Sequence, residues 1–301
     1  MSTLRRTERI RPGMCGHNSL FAGQVGDWTW DAVSELCGTD VLSARDASGE
    51  PTYLSFYYYR VRGSRRFHLR SPAFGDELDV TTRLFGFGSE SVLTLHRIGR
   101  SAGAASGPLE PEDFYAFADP DCLYVENFNR WVARGDGPSN AGLVRASPPD
   151  FRHEHLPELP ERFSPRHAYG RARRELTFHD HEADGDRLVT ELDVDYEVDP
   201  SRDLNGAGLL YFASYFSIVD HGLLRLWRGL GRDDRSFLDR VVVDQQLCYL
   251  GNADAGRPLT VRLRHWRRPD GGEAVDVVLR DRDPDRLLAV CSLRLDRENP
   301  A

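Results

Sequence analysis

The strongest constraint on how this chain folds is a pattern that occurs twice. Gly16-His17-Asn18-Ser19-Leu20-Phe21-Ala22-Gly23 leads into a helix-like segment, Trp28 to Cys37. Asp203-Leu204-Asn205-Gly206-Ala207-Gly208-Leu209-Leu210-Tyr211-Phe212 leads into another, Ala213 to Trp227. Each is a polar, Asn-containing turn, then an apolar stretch and a helix, with strand-like sequence after it. A turn opening onto a buried helix gathers unpaired backbone N–H groups and a positive dipole end at one spot. Two such units predict a duplicated fold with a site between its halves.

The first helix has apolar positions Trp30, Val33, Leu36 and Cys37 at helical spacing, with Asp27 or Thr29 as its cap and Gly38 as its stop. Tyr53 to Val61, Leu78 to Phe87, Ser91 to Ile98 and Asp121 to Val132 read as strands. The stretch from Arg134 to Arg166 is dense in Pro, Gly and Ser. The expected organisation is therefore a first domain over 1–135, a Pro-rich linker over 136–166 and a second domain over 167–301. In the second half Arg171 to His179 reads as a strand, and Leu188 to Val198 alternates apolar and acidic residues, so one face packs and the other meets water. Tyr215, Ile218, Val219, Gly222, Leu223, Leu226 and Trp227 form the stripe of the second helix, and four more strands follow between Val241 and Leu295. Gly75-Asp76-Glu77-Leu78-Asp79-Val80 and Gly256-Arg257-Pro258-Leu259-Thr260-Val261 occupy the same place after each helix.

Composition narrows the chemistry. The 301 residues suffice for two cores. All 39 basic residues are arginine, which excludes a Schiff-base lysine and a P-loop. A net charge of −8 without a basic run argues against nucleic acid. The Arg-rich start has no apolar signal segment, no stretch is long and apolar enough to span a membrane, and five cysteines without a CxxC pair read as reduced thiols. A cytoplasmic location is expected.

A single helix wrapped by a curved antiparallel sheet buries one stripe and leaves the sheet's other face partly wet. That is an α+β hot dog, and two in one chain make a double hot dog. Asp203-x-Asn205-Gly206-x-Gly208-Leu209-x-Tyr211-Phe212-x-x-Tyr215 resembles the signature that opens the central helix of that fold. Arg11-Pro12-Gly13-Met14-Cys15-Gly16-His17-Asn18-Ser19-Leu20-Phe21, Gly26-Asp27-Trp28-Thr29-Trp30-Asp31, Tyr53-Leu54-Ser55-Phe56-Tyr57-Tyr58-Tyr59 and Gly86-Phe87-Gly88-Ser89-Glu90 resemble the bifunctional acyltransferase/decarboxylase of leinamycin-type polyketide biosynthesis. The resemblance implies that methylmalonyl is taken from methylmalonyl-CoA onto a tyrosine, decarboxylated, and passed as propionyl to an acyl carrier protein. The coenzyme A thioester is then a substrate and no cofactor is needed. Pairing into a homodimer fits the fold.

On that resemblance Tyr57, Tyr58 and Tyr59 are the candidate acyl acceptors, Tyr57 foremost and Tyr58 next; without it they read as well-buried strand residues. A phenyl ester has a transfer potential near that of a thioester, so it can accept an acyl group from CoA and return it to another thiol. His17 and Asn18 could orient the thioester carbonyl or assist the phenol, or simply satisfy turn backbone. Asn205, or the amides of Gly206 and Gly208, could form an oxyanion hole, and an Asx turn is the plainer alternative. Asp220 lies where a hot-dog thioesterase often keeps a carboxylate, although a buried hydrogen-bonded pair is the commoner use. Trp28, Trp30 and Phe56 could line a poorly solvating acyl pocket. Arg60, Arg62, Arg65, Arg66 and Arg70 read foremost as a solvated face, with phosphate or carrier-protein contact as the alternative. His179-Asp180-His181-Glu182 reads as a solvated hairpin tip rather than a metal site. A hot-dog thioesterase or dehydratase and a non-catalytic acyl-CoA-binding protein are the alternatives.

Overall fold

The first turn-and-helix pattern folds as one uninterrupted helix, α1 (Asn18–Cys37), which starts before the expected Trp28. In the computed structural model, which describes residues 2–101, 107–135 and 137–296, the chain separates into two units, Met1–Pro165 and Arg166–Ala301. Asp27 and Thr29 are therefore mid-helix rather than caps. The capping position is His17, and Gly23 and Gly26 lie buried inside α1. The buried positions Phe21, Ala22, Val25, Trp28, Thr29, Ala32, Val33 and Cys37 recur at three- and four-residue spacing. Gly38 ends the helix in the left-handed conformation (φ 70°), which a residue without a Cβ adopts at no steric cost.

Unit 1 surrounds α1 with β1 (Thr3–Arg9), β2 (Thr52–Arg62), β3 (Glu77–Gly86), β4 (Ser91–Arg100) and β5 (Leu123–Arg134), all antiparallel in the order β1-β3-β4-β5-β2. Strand β1 escaped sequence reading because Thr3 to Arg9 carries almost no apolar residue. It is an edge strand held by its ladder to β3 rather than by burial. A short helix, α2 (Pro111–Ala116), follows β4. The expected linker begins at residue 136, which lies outside the described residues, as do the domain ends at residues 1 and 301. From residue 137 onward that stretch is ordered: β6 (Leu143–Arg145) pairs with β5, and Phe151 and Leu156 join the core around Trp131.

In unit 2, α3 (Pro165–Glu175) stands where Arg171 to His179 was expected as a strand. Ala and Arg favour a helix there, an Arg171–Glu175 pair one turn apart supports it, and Ala172 is buried. Then come β7 (Arg187–Glu197), α4 (Ser214–Gly229), a short α5 (Asp234–Asp239), β8 (Val242–Tyr249), β9 (Pro258–Arg267), β10 (Glu273–Arg282) and β11 (Asp285–Leu295). The sheet order is β7-β9-β10-β11-β8, which repeats that of unit 1 with α4 in the place of α1. Each unit is a hot dog. Gly75 and Gly256 precede the equivalent strands β3 and β9 with φ 86° and 69°. Strand β7 packs less than its alternation predicts: it is an edge strand, a bulge interrupts it after Leu188, and of its apolar residues only Val194 is fully buried.

Gly222 marks the crossing of α4 over β9. A Cβ there would lie 2.9 Å from Val261 Cγ1 and 3.2 Å from Leu263 Cδ1. Gly222→Val is expected to lower stability by about 1–3 kcal/mol through overpacking, read as a lower urea midpoint at unchanged m.

Candidate functional site

The three tyrosines of β2 do not alternate as a regular strand would. Phe56 pairs with Asn129 and Tyr58 with Phe128 on β5, so Tyr57 is the extra residue of a β-bulge. In a regular strand Tyr57 and Tyr59 would share a face, and the bulge breaks that alternation. Tyr59 turns toward α1, packs on Phe56 at 5.7 Å, and donates its hydroxyl hydrogen to the Ala22 carbonyl at 3.0 Å. Tyr58 is buried on the opposite face, near Tyr115. Tyr115 there donates to buried Glu126 at 2.9 Å; its own burial and then the Glu126 charge raise its pKa far above the ordinary phenol range. Tyr57 is only half buried, with the Arg130 guanidinium 4.7 Å from its ring centroid. Arg130 is itself tied to Ser91 Oγ at 3.2 Å. Bulges re-aim side chains beside functional sites, and this one separates the three phenols into three surroundings.

The remaining unit 1 candidates divide. Trp30 packs against Phe56 at 5.8 Å and donates its indole N–H to the Leu54 carbonyl, so Trp30, Phe56 and Tyr59 form one aromatic row under α1. Trp28 points elsewhere in the core, edge-on to Phe21. His17 is exposed at the helix start, 2.6 Å from Ser19 Oγ, and Asn18 beside it is buried.

Sequence reading missed a polar clasp between α1 and the sheet. Thr29 donates to the Val25 carbonyl and accepts from Asn127 Nδ2, and its hydroxyl lies 2.8 Å from His96 Nε2. The hydroxyl's one proton is already used, so His96 carries its proton on Nε2, and its Nδ1 accepts from Thr82 at 2.8 Å. Burial, and secondarily Arg6, push His96 down to about 3, so the ring is neutral. The polar β4 and β5 positions that make this clasp break the hydrophobic alternation, which was the available signal.

Unit 2 holds the other four candidates. Asn205 Oδ1 accepts from the backbone of Ala207 and Leu209, both at 3.0 Å, and the Gly208 N–H is used on the Asn205 carbonyl. The turn therefore spends the Gly208 N–H proposed for an oxyanion hole and fixes the Asn205 side chain through its Oδ1, and Gly206 sits exposed at its tip. Asp220 accepts from buried Arg240 at 2.5 Å. His179 and His181 are not at a solvated tip. Both are buried, and His181 lies between Asp186 (2.8 Å) and Asp276 (2.7 Å) while stacking on Trp266. Burial disfavours the His181 charge, yet the two carboxylates outweigh it and raise its pKa. Among the described residues no group of three or more His, Cys, Asp or Glu side chains is arranged to hold a metal ion, and no helix is long and apolar enough to cross a membrane. The five cysteines are buried and form no disulfide.

A central helix on an antiparallel sheet, repeated in each unit with the same strand order, defines a hot-dog protein. The chain belongs to the family described as the LnmK N-terminal Hot Dog Fold domain, whose model matches residues 5–180. This bears out the resemblance read from the turn and tyrosine motifs. Similar solved structures include an oleoyl thioesterase assignment from Lactobacillus plantarum (12% identity, 100% of this chain and 96% of that one, TM-score 0.61). An acyl-ACP thioesterase from Bacteroides thetaiotaomicron is similar at 10% identity, with 98% of each chain covered and a TM-score of 0.54. The 12:0-ACP thioesterase from Umbellularia californica is similar at 12% identity, with 98% of each chain covered and a TM-score of 0.53. At such identities the likeness is one of fold. Comparison with curated proteins finds no match.

The clasp has a measurable consequence. Unfolded, His96 takes up a proton near pH 6.5; folded, it resists protonation down to about pH 3. The unfolded state thus binds more protons between those values, and stability falls as pH falls through that window. His96→Asn is expected to flatten the acid limb of unfolding free energy against pH by up to about 1.4 kcal/mol per pH unit, measured by urea titrations from pH 7 to 4.

Proposed function

We propose that this protein is an acyltransferase/decarboxylase that uses methylmalonyl-CoA and acylates Tyr57. Family membership supports the reaction class, and the bulge that presents Tyr57 beneath Arg130 is the observation that favours this tyrosine over its neighbours. Tyr58 and Tyr59 are buried, and Tyr59 is engaged with Ala22.

In the proposed sequence the Tyr57 oxygen attacks the thioester carbonyl. The C–S bond breaks, and the phenol proton leaves with the CoA thiol. The C–C bond to the carboxylate then breaks, CO2 departs, and the electron pair becomes the enolate of the tyrosyl ester. Protonation at the α-carbon gives propionyl-tyrosine. The thiol of an acyl carrier protein takes the propionyl group, and the phenol regains its proton. Arg130 supplies fixed positive charge against the ring while phenolate character develops in attack and departure. Trp30 and Phe56 supply apolar surface. His17 and Asn18 at the start of α1 are proposed to orient the thioester.

Rates of CO2 and CoA release from methylmalonyl-CoA test the scheme. Tyr57→Phe is expected to lose at least about 100-fold in both, and Arg130→Gln about 10- to 100-fold in kcat with KM little changed. Full activity in Tyr57→Phe removes that residue from the scheme. CoA release without CO2 supports a thioesterase instead. Tight binding with neither product supports a binding protein.

A further inference from the structure

The helix-facing centre of the unit 1 sheet carries polar groups that the fold leaves unanswered. Thr94, Asn127, Asn129 and Trp131 are fully buried. Thr94 Oγ1, Asn127 Oδ1, both amide atoms of Asn129 and Trp131 Nε1 have no hydrogen-bond partner. They belong to one patch. Asn127, Asn129 and Trp131 follow at every second residue of β5, and Thr94 on β4 pairs directly with Asn127. The Asn127 Nδ2 bond to Thr29 shows that this face looks toward α1.

Buried groups left unpaired cost roughly 1–3 kcal/mol each, so five in one patch are a large burden for a structural core. In the neighbouring clasp His96 uses both ring nitrogens, so this interior can satisfy a polar side chain fully where it serves the fold. Unit 2 supplies an internal comparison. In its β10 and β11 the equivalent helix-facing centre is Val275, Val277 and Leu279 opposite Leu293, Cys291 and Ala289, all buried. Its helix-facing polar residues, Gln245 and His265, lie on the flanking strands β8 and β9, where Gln245 Oε1 and His265 Nδ1 are likewise unpaired. The same architecture therefore closes without polar groups at these positions. Departures from that rule concentrate at functional sites.

We propose that Thr94, Asn127, Asn129 and Trp131 form a binding subsite for an uncharged oxygen function, a hydroxyl or ketone, on the acyl chain of a thioester ligand. Thr94 O–H, Asn129 Nδ2–H and Trp131 Nε1–H donate to such an oxygen, and Asn127 Oδ1 accepts from a hydroxyl. The four side chains bring no charge, and a carboxylate buried among them would lack a counter-ion. Phe56, Val92 and Leu54, which pair with Asn129 and Trp131 along the register, give the subsite apolar walls for the carbon chain. The inference rests on the acyl-thioester reading for its ligand, but not on Tyr57 or on decarboxylation; methylmalonyl and propionyl carry no such oxygen, so the subsite names a further acyl chain.

Two unreactive thioethers test it: S-(3-hydroxybutyl)-CoA and S-butyl-CoA, titrated calorimetrically into the full chain. The hydroxyl compound is expected to bind about tenfold more tightly. Asn129→Leu and Thr94→Val, which copy the apolar character of unit 2, are expected to remove that preference while raising Tm by roughly 2–4 °C. Equal affinities in the unaltered protein overturn the subsite. So does a preference that survives both substitutions. Greater stability with unchanged binding assigns the patch to ordered water alone. If neither thioether binds, the CoA-thioester reading fails as well; Tyr57-dependent CO2 release separates that outcome from failure of the subsite alone.

Discussion

The twenty residues of α1 are held against the sheet of unit 1 by a buried apolar stripe and by one polar clasp, Thr29 with His96 and Asn127. The stripe supplies most of the stability, being non-directional and proportional to the area removed from water. The clasp supplies register, because a hydrogen-bonded histidine at the centre of a sheet fits one rotation of the helix and no other. That rotation brings the Ala22 carbonyl to Tyr59 and Trp30 onto Phe56. With Tyr59 drawn inward and Tyr58 turned to the far face, the bulge leaves Tyr57 as the least buried phenol of the three.

The two units are built alike and used differently. Unit 2 fills the centre of its helix-facing sheet with Val, Leu, Ala and Cys, whereas unit 1 places Thr, Asn and Trp there with polar atoms unpaired. Polar residues in unit 2 are instead gathered elsewhere, in the Asp203–Asn205 turn and in the His181–Asp276 pair beneath the segment after α3. Each of those is hydrogen-bonded throughout its main contacts and holds a loop in place. The centre of one sheet is thus apolar, and the centre of the other carries polar groups that packing alone does not require.

Much of the architecture was legible because its signals are periodic. The α4 stripe from Tyr215 to Trp227 and the strands β2 to β5 and β8 to β11 fell where apolar spacing placed them. The failures have physical reasons. Strand β1 is stabilised by its ladder, and its half-buried positions are mostly polar and none is fully buried. Gly23 and Gly26 cost helix propensity that tertiary packing of α1 overrides. Helix α3 buries only Pro165 and Ala172, so periodicity could not reveal it. Within the candidate site, the tyrosine triplet and the Asn-containing turns were visible as motifs. A bulge obeys no alternation, so the different surroundings of Tyr57 and Tyr59 were not. Arg130, His96 and Asn129 come from strands distant in sequence, and only the register joins them to β2 and α1.

The central claim is that a β2 phenol carries the acyl group, and the intact mass of the protein after brief exposure to methylmalonyl-CoA tests it most directly. The account predicts a mass increase equal to one propionyl group, mapped by peptide fragmentation to Tyr57 and discharged by a carrier-protein thiol. A protein of unchanged mass, in a reaction that nonetheless releases CO2 from the thioester, would contradict it.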